Sequence, residues 1–134
     1  MRGRLLVGLI TIGALSLSFA PTAHSERCFA PRIGDGRSSV VYGADSEYSD
    51  ALVAHAAHAD LLLLEATLVE PDPTVAGHMT GEQAARVAAQ AGARRLVLTH
   101  LPPSTADNED NLHRARGVFD GEVELAETGA VYEV

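Results

Sequence analysis

The run "DLLLLEAT", residues 60–67, constrains this chain most. Its four consecutive leucines between Asp60 and Glu65 form an apolar stretch of strand length without alternation, the pattern of a strand buried on both faces. Parallel pairing is implied, and parallel neighbours are joined by crossovers, usually helices. The flanking text agrees. "SEYSDALVAHAAHAD", residues 46–60, reads as a helix capped by Ser49 or a neighbour. "HMTGEQAARVAAQAGARRLVLTH", residues 78–100, places Thr80 and Gln83 at capping-box spacing and Ala84, Val87, Ala88 and Ala91 on one helical face. Gly92 then stops the helix, and a buried strand over 96–99 delivers His100 to a loop.

The rest of the chain extends this order. Residues 28–33 read as an extended segment, "GDGR" at 34–37 as a hairpin turn, and "SSVVYGAD" as a strand ending at Asp45. "LVEPDPTVAG" and "HLPPSTADNED" are loops. A helix is expected over 108–119, then two strands, "EVELAE" and "AVYEV", joined at Thr128 and Gly129. Strands thus alternate with helices through the middle of an α/β chain. Asp45, Glu65 and His100 fall at strand ends and His78 just before a helix, on the edge where open α/β sheets assemble chemistry. Carboxylates beside imidazoles suit a borderline divalent metal such as zinc. They equally suit hydrogen-bonded surface positions, and spacing alone leaves both readings standing.

At 134 residues the chain makes one domain. Its net charge of −8 disfavours a broad phosphate-tracking surface, and with it a structured RNA partner. The single cysteine, Cys28, cannot form an internal disulfide and reads as a small buried apolar residue. The amino terminus has two readings. Two arginines, an apolar run and small residues outline a secretory leader over residues 1–23. Against this, Gly8 and Gly13 interrupt the run and "ALSLSFA" alternates as a half-buried strand does, giving two short strands joined near Gly13. For a spanning helix the run is short and punctuated, so no membrane anchor is expected.

Residues 13–134 resemble the carboxyl-terminal half of metallo-β-lactamase-fold hydrolases, in the branch of ribonuclease Z-like enzymes and phosphodiesterases. The likeness rests on Ala44-Asp45-Ser46, where the family has a metal-bridging aspartate followed by Ser or Thr, and on "LVLTH", which ends in the family's last metal histidine, His100. "SLSFAPTAHSERCFAPRI" fits the frame of a further metal histidine, His24. Leu64-Glu65-Ala66-Thr67 matches a "HEAT" motif and His78-Met79-Thr80 an "HST" motif, with departures at Leu64 and Met79. The resemblance implies that Glu65 orients His78, which serves the scissile phosphate or the leaving oxygen.

It also implies an αββα sandwich with a mixed sheet, helices on its outer face and two divalent ions, zinc first, with manganese or iron as alternatives. Metal-activated water would attack a small-molecule or nucleotide phosphodiester. Lactones, thioesters and β-lactams are the alternative substrates on this scaffold, and a secreted or inactive product is the alternative outside catalysis. The apolar amino-terminal run becomes core strand, giving a cytoplasmic protein unless residues 1–23 are a signal peptide; a homodimer is an open option. The family's HxHxDH motif, source of the remaining ligands, occurs nowhere in the sequence. Residues 1–134 are therefore expected to be a partial domain with most of a two-ion ligand set missing. His55, His58 and His113 are expected on the solvated surface, with His113 near a helix start.

Overall fold

The strand reading holds at the amino terminus: β1 (Ile10–Ile12) turns at Gly13, whose φ is +59°, into β2 (Leu15–Pro21). The computed structural model describes residues 8–134, so the basic start of the leader reading, with Arg2 and Arg4, lies outside the described residues. β3 (Phe29–Gly34) and β4 (Ser39–Tyr42) follow as a hairpin, then α1 (Asp50–His55) capped by the Ser49 side chain. β5 (Leu61–Glu65) is the leucine run. α2 (Gly81–Ala91) carries the full Thr80–Gln83 capping box and ends at Gly92 in the left-handed region. β6 (Arg95–Thr99), α3 (Thr105–Arg116) and β7 (Glu122–Leu125) complete the chain.

The strands lie side by side in sequence order, antiparallel from β1 to β4 and parallel from β4 to β7. This is a mixed sheet with flanking helices, as in an α/β sandwich of the metallo-β-lactamase type. Register explains the core. Val41, Leu62, Leu96 and Val123 pair across four strands into one buried row, on which Leu52 of α1, the alanines and Val87 of α2, and Ala115 of α3 pack. Alanine at most contact positions of α2 lets the helix lie close to the leucine strands.

One residue away, every side chain points to the opposite face. There β2, β3 and β4 present Phe19, Phe29, Pro31, Ile33 and Tyr42, of which Phe29 and Tyr42 are 44% and 43% exposed. Among the described residues nothing covers this apolar groove. On β6 and β7 the same face is charged, with Arg95 bonded to Glu124 at 2.7 Å.

Three expectations change. "AVYEV" is not a strand: Ala130 closes a turn onto Glu127, Val131 is 88% exposed, and the Tyr132 ring lies 5.4 Å from the Arg95 guanidinium. α3 starts earlier than expected, because Ser104 caps it, so His113 sits in its last turn, where a cation suits the helix dipole. Cys28 is half-buried and outside the core cluster.

Candidate metal centre

The parallel strands end side by side, and the loops leaving them carry the titratable groups. Asp45 follows β4, Glu65 closes β5 and His100 follows β6. Ligand atoms of Asp45, Glu65, His78 and His100 lie within 4.8 Å of one another, a cluster able to hold one divalent ion.

Glu65 is its interior member, with a side chain 1% exposed. Oε1 accepts the Ser46 N–H at 2.9 Å and lies 2.8 Å from His78 Nδ1. Oε2 accepts the N–H groups of Met79 at 3.2 Å and Thr67 at 3.3 Å. A carboxylate offers about four acceptor sites and these contacts occupy all four, so Glu65 could join an ion only by giving one of them up. What Glu65 does instead is fix three loops together and turn His78 so that Nε2 is its free nitrogen.

Asp45 is 35% exposed and much less engaged. Oδ1 lies 2.8 Å from His100 Nδ1, and Oδ2 lies 3.9 Å from His24 Nε2. The His78 ring stands edge-on between the other two, 5.2 Å from His24 and 5.5 Å from His100 between centroids. All five expected site residues therefore meet at one edge of the sheet. Imidazole nitrogens and a free carboxylate are donors that zinc and similar ions accept. His55, His58 and His113 are outside this group. His55 corrects the expectation of a solvated surface residue: its Nε2 is buried without a partner, and burial against β3 lowers its pKa.

The backbone is strained beside the open pair. Ala44 and His100 adopt φ of +52° and +48°, in the left-handed region that β-carbon contacts disfavour. These turns aim Asp45 and His100 at each other. Three hydrogen bonds then hold the His24 loop against Asp45: Thr22 Oγ1 donates to Asp45 O at 2.8 Å, Ala23 N donates to Ser46 Oγ at 3.2 Å, and Glu47 N donates to Ala23 O at 2.8 Å. Gly77 closes the arrangement. Its φ of +88° and the His24 ring, which a β-carbon would approach to 2.7 Å, both require glycine there.

Sequence reading missed the supports. Asn111 of α3 is fully buried; its side-chain oxygen accepts Gly81 N–H at 2.9 Å and its amide donates to Ala66 O at 3.1 Å. It thereby ties the end of β5 to the start of α2, the two segments that carry Glu65 and His78. Thr22, Glu47 and Asn111 follow no period and no motif, and only the Asp45-Ser46 dipeptide hinted at this framework.

Comparison with known proteins places this arrangement. The β-lactamase superfamily domain matches residues 6–101. The chain belongs to that superfamily. It is 44% identical over 126 residues to the probable metallo-hydrolase YhfI of Bacillus subtilis, covering 92% of this chain and 51% of that protein. Ribonuclease Z of Salinispora arenicola is 38% identical over 122 residues, covering 89% of this chain and 38% of the enzyme. The crystal structure of YhfI, a metallo-β-lactamase-fold protein, superposes with a TM-score of 0.87 at 40% identity, over 93% of this chain and 52% of YhfI. Human tRNase Z, short form, superposes with a TM-score of 0.64 at 27% identity, over 92% of this chain and 42% of that one. This superfamily member thus falls beside YhfI and the ribonuclease Z branch, and spans about half the length of these relatives. Among the described residues no helix is long and apolar enough to cross a membrane.

Proposed function

We propose that the chain is one half of a metal-dependent hydrolase of phosphodiester bonds. The observation behind this is the division of labour at the sheet edge: Glu65, saturated with donors, orients His78, while Asp45, His24 and His100 keep ligand atoms directed at one another. Asp45 would bridge two divalent ions, zinc first, with His24 and His100 as further ligands. Such ions, when bound, supply Lewis acidity and lower the pKa of a water. His78, with Nδ1 held by Glu65, presents Nε2 to the phosphate or to the departing oxygen, where an imidazole can oppose charge or give a proton. A carboxylate-held imidazole keeps one tautomer and one orientation, so it loses little order when a substrate arrives.

The reading includes a second polypeptide segment. Three ligands are too few for two ions, and the sheet has a bare apolar face. A segment carrying HxHxDH on its own sheet would cover that face and complete the site, making residues 1–134 the carboxyl-terminal half of a sandwich. The roughly half coverage of YhfI, at a TM-score of 0.87, supports this.

The test is reconstruction. The chain alone should bind zinc weakly, and joining it to a segment that carries HxHxDH should restore tight binding and hydrolysis of an aryl phosphodiester. In the completed protein Asp45→Ala should lose metal and activity together. His78→Ala should retain zinc and lose roughly a hundredfold in kcat. Equal loss of zinc by both variants would sink the assignment. The reading also keeps Leu15–Pro21 as strand and not as leader, in a cytoplasmic protein; mass spectrometry of the native species should find these residues retained, and a chain beginning near His24 would contradict it.

A further inference from the structure

Beside His78 lies a cavity of about 400 Å³. Its walls come from Leu68, Pro71, Asp72 and Val75 of the loop between β5 and α2, and from Glu47 after β4. His78 belongs to both places: it lines the cavity and stands edge-on to His24 and His100. A phosphodiester held at the imidazoles would have one substituent projecting here.

The lining states what that substituent can be. Leu68, Pro71 and Val75 give apolar surface, and the two charged residues are both acids, with no lysine or arginine among the lining residues. Asp72 is held in its charged form, because the Thr74 hydroxyl and N–H both donate to Oδ1 and lower its pKa. Glu47 Oε1 accepts the Gly77 N–H at 2.8 Å, which fixes that carboxylate at the rim. The volume is in the range of small-molecule sites, about 300–1,000 Å³.

We propose that this cavity is the subsite for the organic substituent of the phosphodiester, and that it takes an uncharged, hydrogen-bond-donating group of nucleoside size while rejecting a second phosphate. The inference rests on the hydrolase reading and sharpens it. A phosphate placed between Glu47 and Asp72 would meet like charge, with no lysine or arginine among the described lining residues to offset it. A nucleoside would meet apolar walls and two acceptors for its hydroxyl or amino hydrogens. The substrate class is then a small diester with one phosphorus, and a strand that threads its next phosphate between Glu47 and Asp72 is disfavoured.

The test uses the metal-free chain, isotope-labelled for NMR, with inorganic phosphate, adenosine 5′-monophosphate and adenosine 3′,5′-bisphosphate as probes. Inorganic phosphate should move the side-chain signals of His78 and His100 and leave Val75 alone. The monophosphate should move both sets and bind roughly tenfold tighter than the bisphosphate. Glu47→Gln with Asp72→Asn, which keeps both acceptor oxygens, should narrow that gap, as should added salt. A bisphosphate that binds as tightly as the monophosphate overturns the proposal. So does a monophosphate that moves the histidines but not Val75, which would leave the phosphate site intact without this subsite. If none of the three moves His78 or His100, the imidazoles do not anchor a phosphate beside the cavity and the subsite proposal falls, while the hydrolase reading is judged separately by the reconstruction with an HxHxDH segment.

Discussion

The ends of β4 and β5 carry acidic side chains at the same edge of one sheet, yet the two carboxylates live in opposite surroundings. Glu65 is sealed, with three backbone N–H groups and an imidazole at its oxygens. Asp45 is 35% exposed and faces only imidazoles, one at 2.8 Å and one at 3.9 Å. Position on the fold therefore does not decide what a carboxylate can do. The count of donors does. Filled acceptor sites make Glu65 a rigid organiser of its neighbours, whereas spare acceptor sites leave Asp45 able to exchange an imidazole for an ion. Two of the three left-handed non-glycine residues among the described residues belong to the open group, Ala44 beside Asp45 and His100 as its partner; the third, His58, lies after α1, and none flanks Glu65.

The largest effect expected from this difference is on stability. Glu65→Ala strands two buried N–H groups, a part-buried third and an imidazole, and should destabilise the metal-free chain by about 3–5 kcal/mol in urea unfolding. Asp45→Ala removes a partly solvated partner and should change stability by less than about 1 kcal/mol. Similar losses from the two would show that Asp45 is as structural as Glu65, and the contrast between them would be gone.

Asn111 tests how far the sealed region extends. Its side chain holds Gly81 N–H and Ala66 O, and Gly81 packs so tightly on α3 that a β-carbon there would come within 2.6 Å of Asn111 O. Asn111→Ala leaves one donor and one acceptor unpaired in the interior, at about 1–3 kcal/mol. If the organiser includes α3, the hydrogen exchange of Met79 and Ser46, the N–H groups on Glu65, should quicken in this variant by more than the global loss explains. Exchange that rises uniformly would confine the organiser to the loops themselves.

Much of this was legible in the sequence, for identifiable reasons. The leucine run, the capping box and Gly92 are local signals, with causes inside a few residues, and each appears in the fold as read. Asp45, Glu65, His78 and His100 were visible because parallel strands end together, so residues at strand ends meet. The donors that seal Glu65 are backbone groups and carry no sequence signature. Thr22, Glu47 and Asn111 act through contacts between loops distant in the chain, which no period reports. "AVYEV" alternates like a strand, but the turn closed by Ala130 and the Tyr132–Arg95 contact hold it out of the sheet.

The smallest effect concerns pH and separates the site from the rest of the molecule. Its source is His55, which lies outside the cluster around Asp45. It ends α1 against β3, where Arg32 donates to the carbonyl oxygens of His55 and Ala57, and its Nε2 is buried without a partner. Burial is the main cause that lowers its pKa from 6.5, a nearby backbone hydrogen bond opposes it and the Arg32 charge adds to it. The unfolded chain therefore takes up this proton first. The contribution of His55 is intact above pH 6.5 and shrinks as pH falls through that value toward the lower folded one. His55→Phe removes the titration while filling the same space, so the stability difference between parent and variant should be flat above pH 6.5 and should move in the variant's favour below it. Unfolding midpoints measured from pH 8 to about 5 report this directly. A difference that stays constant across the range would mean that burial at the end of α1 does not hold the His55 imidazole neutral, and that its packing against β3 leaves room to hydrate a charge.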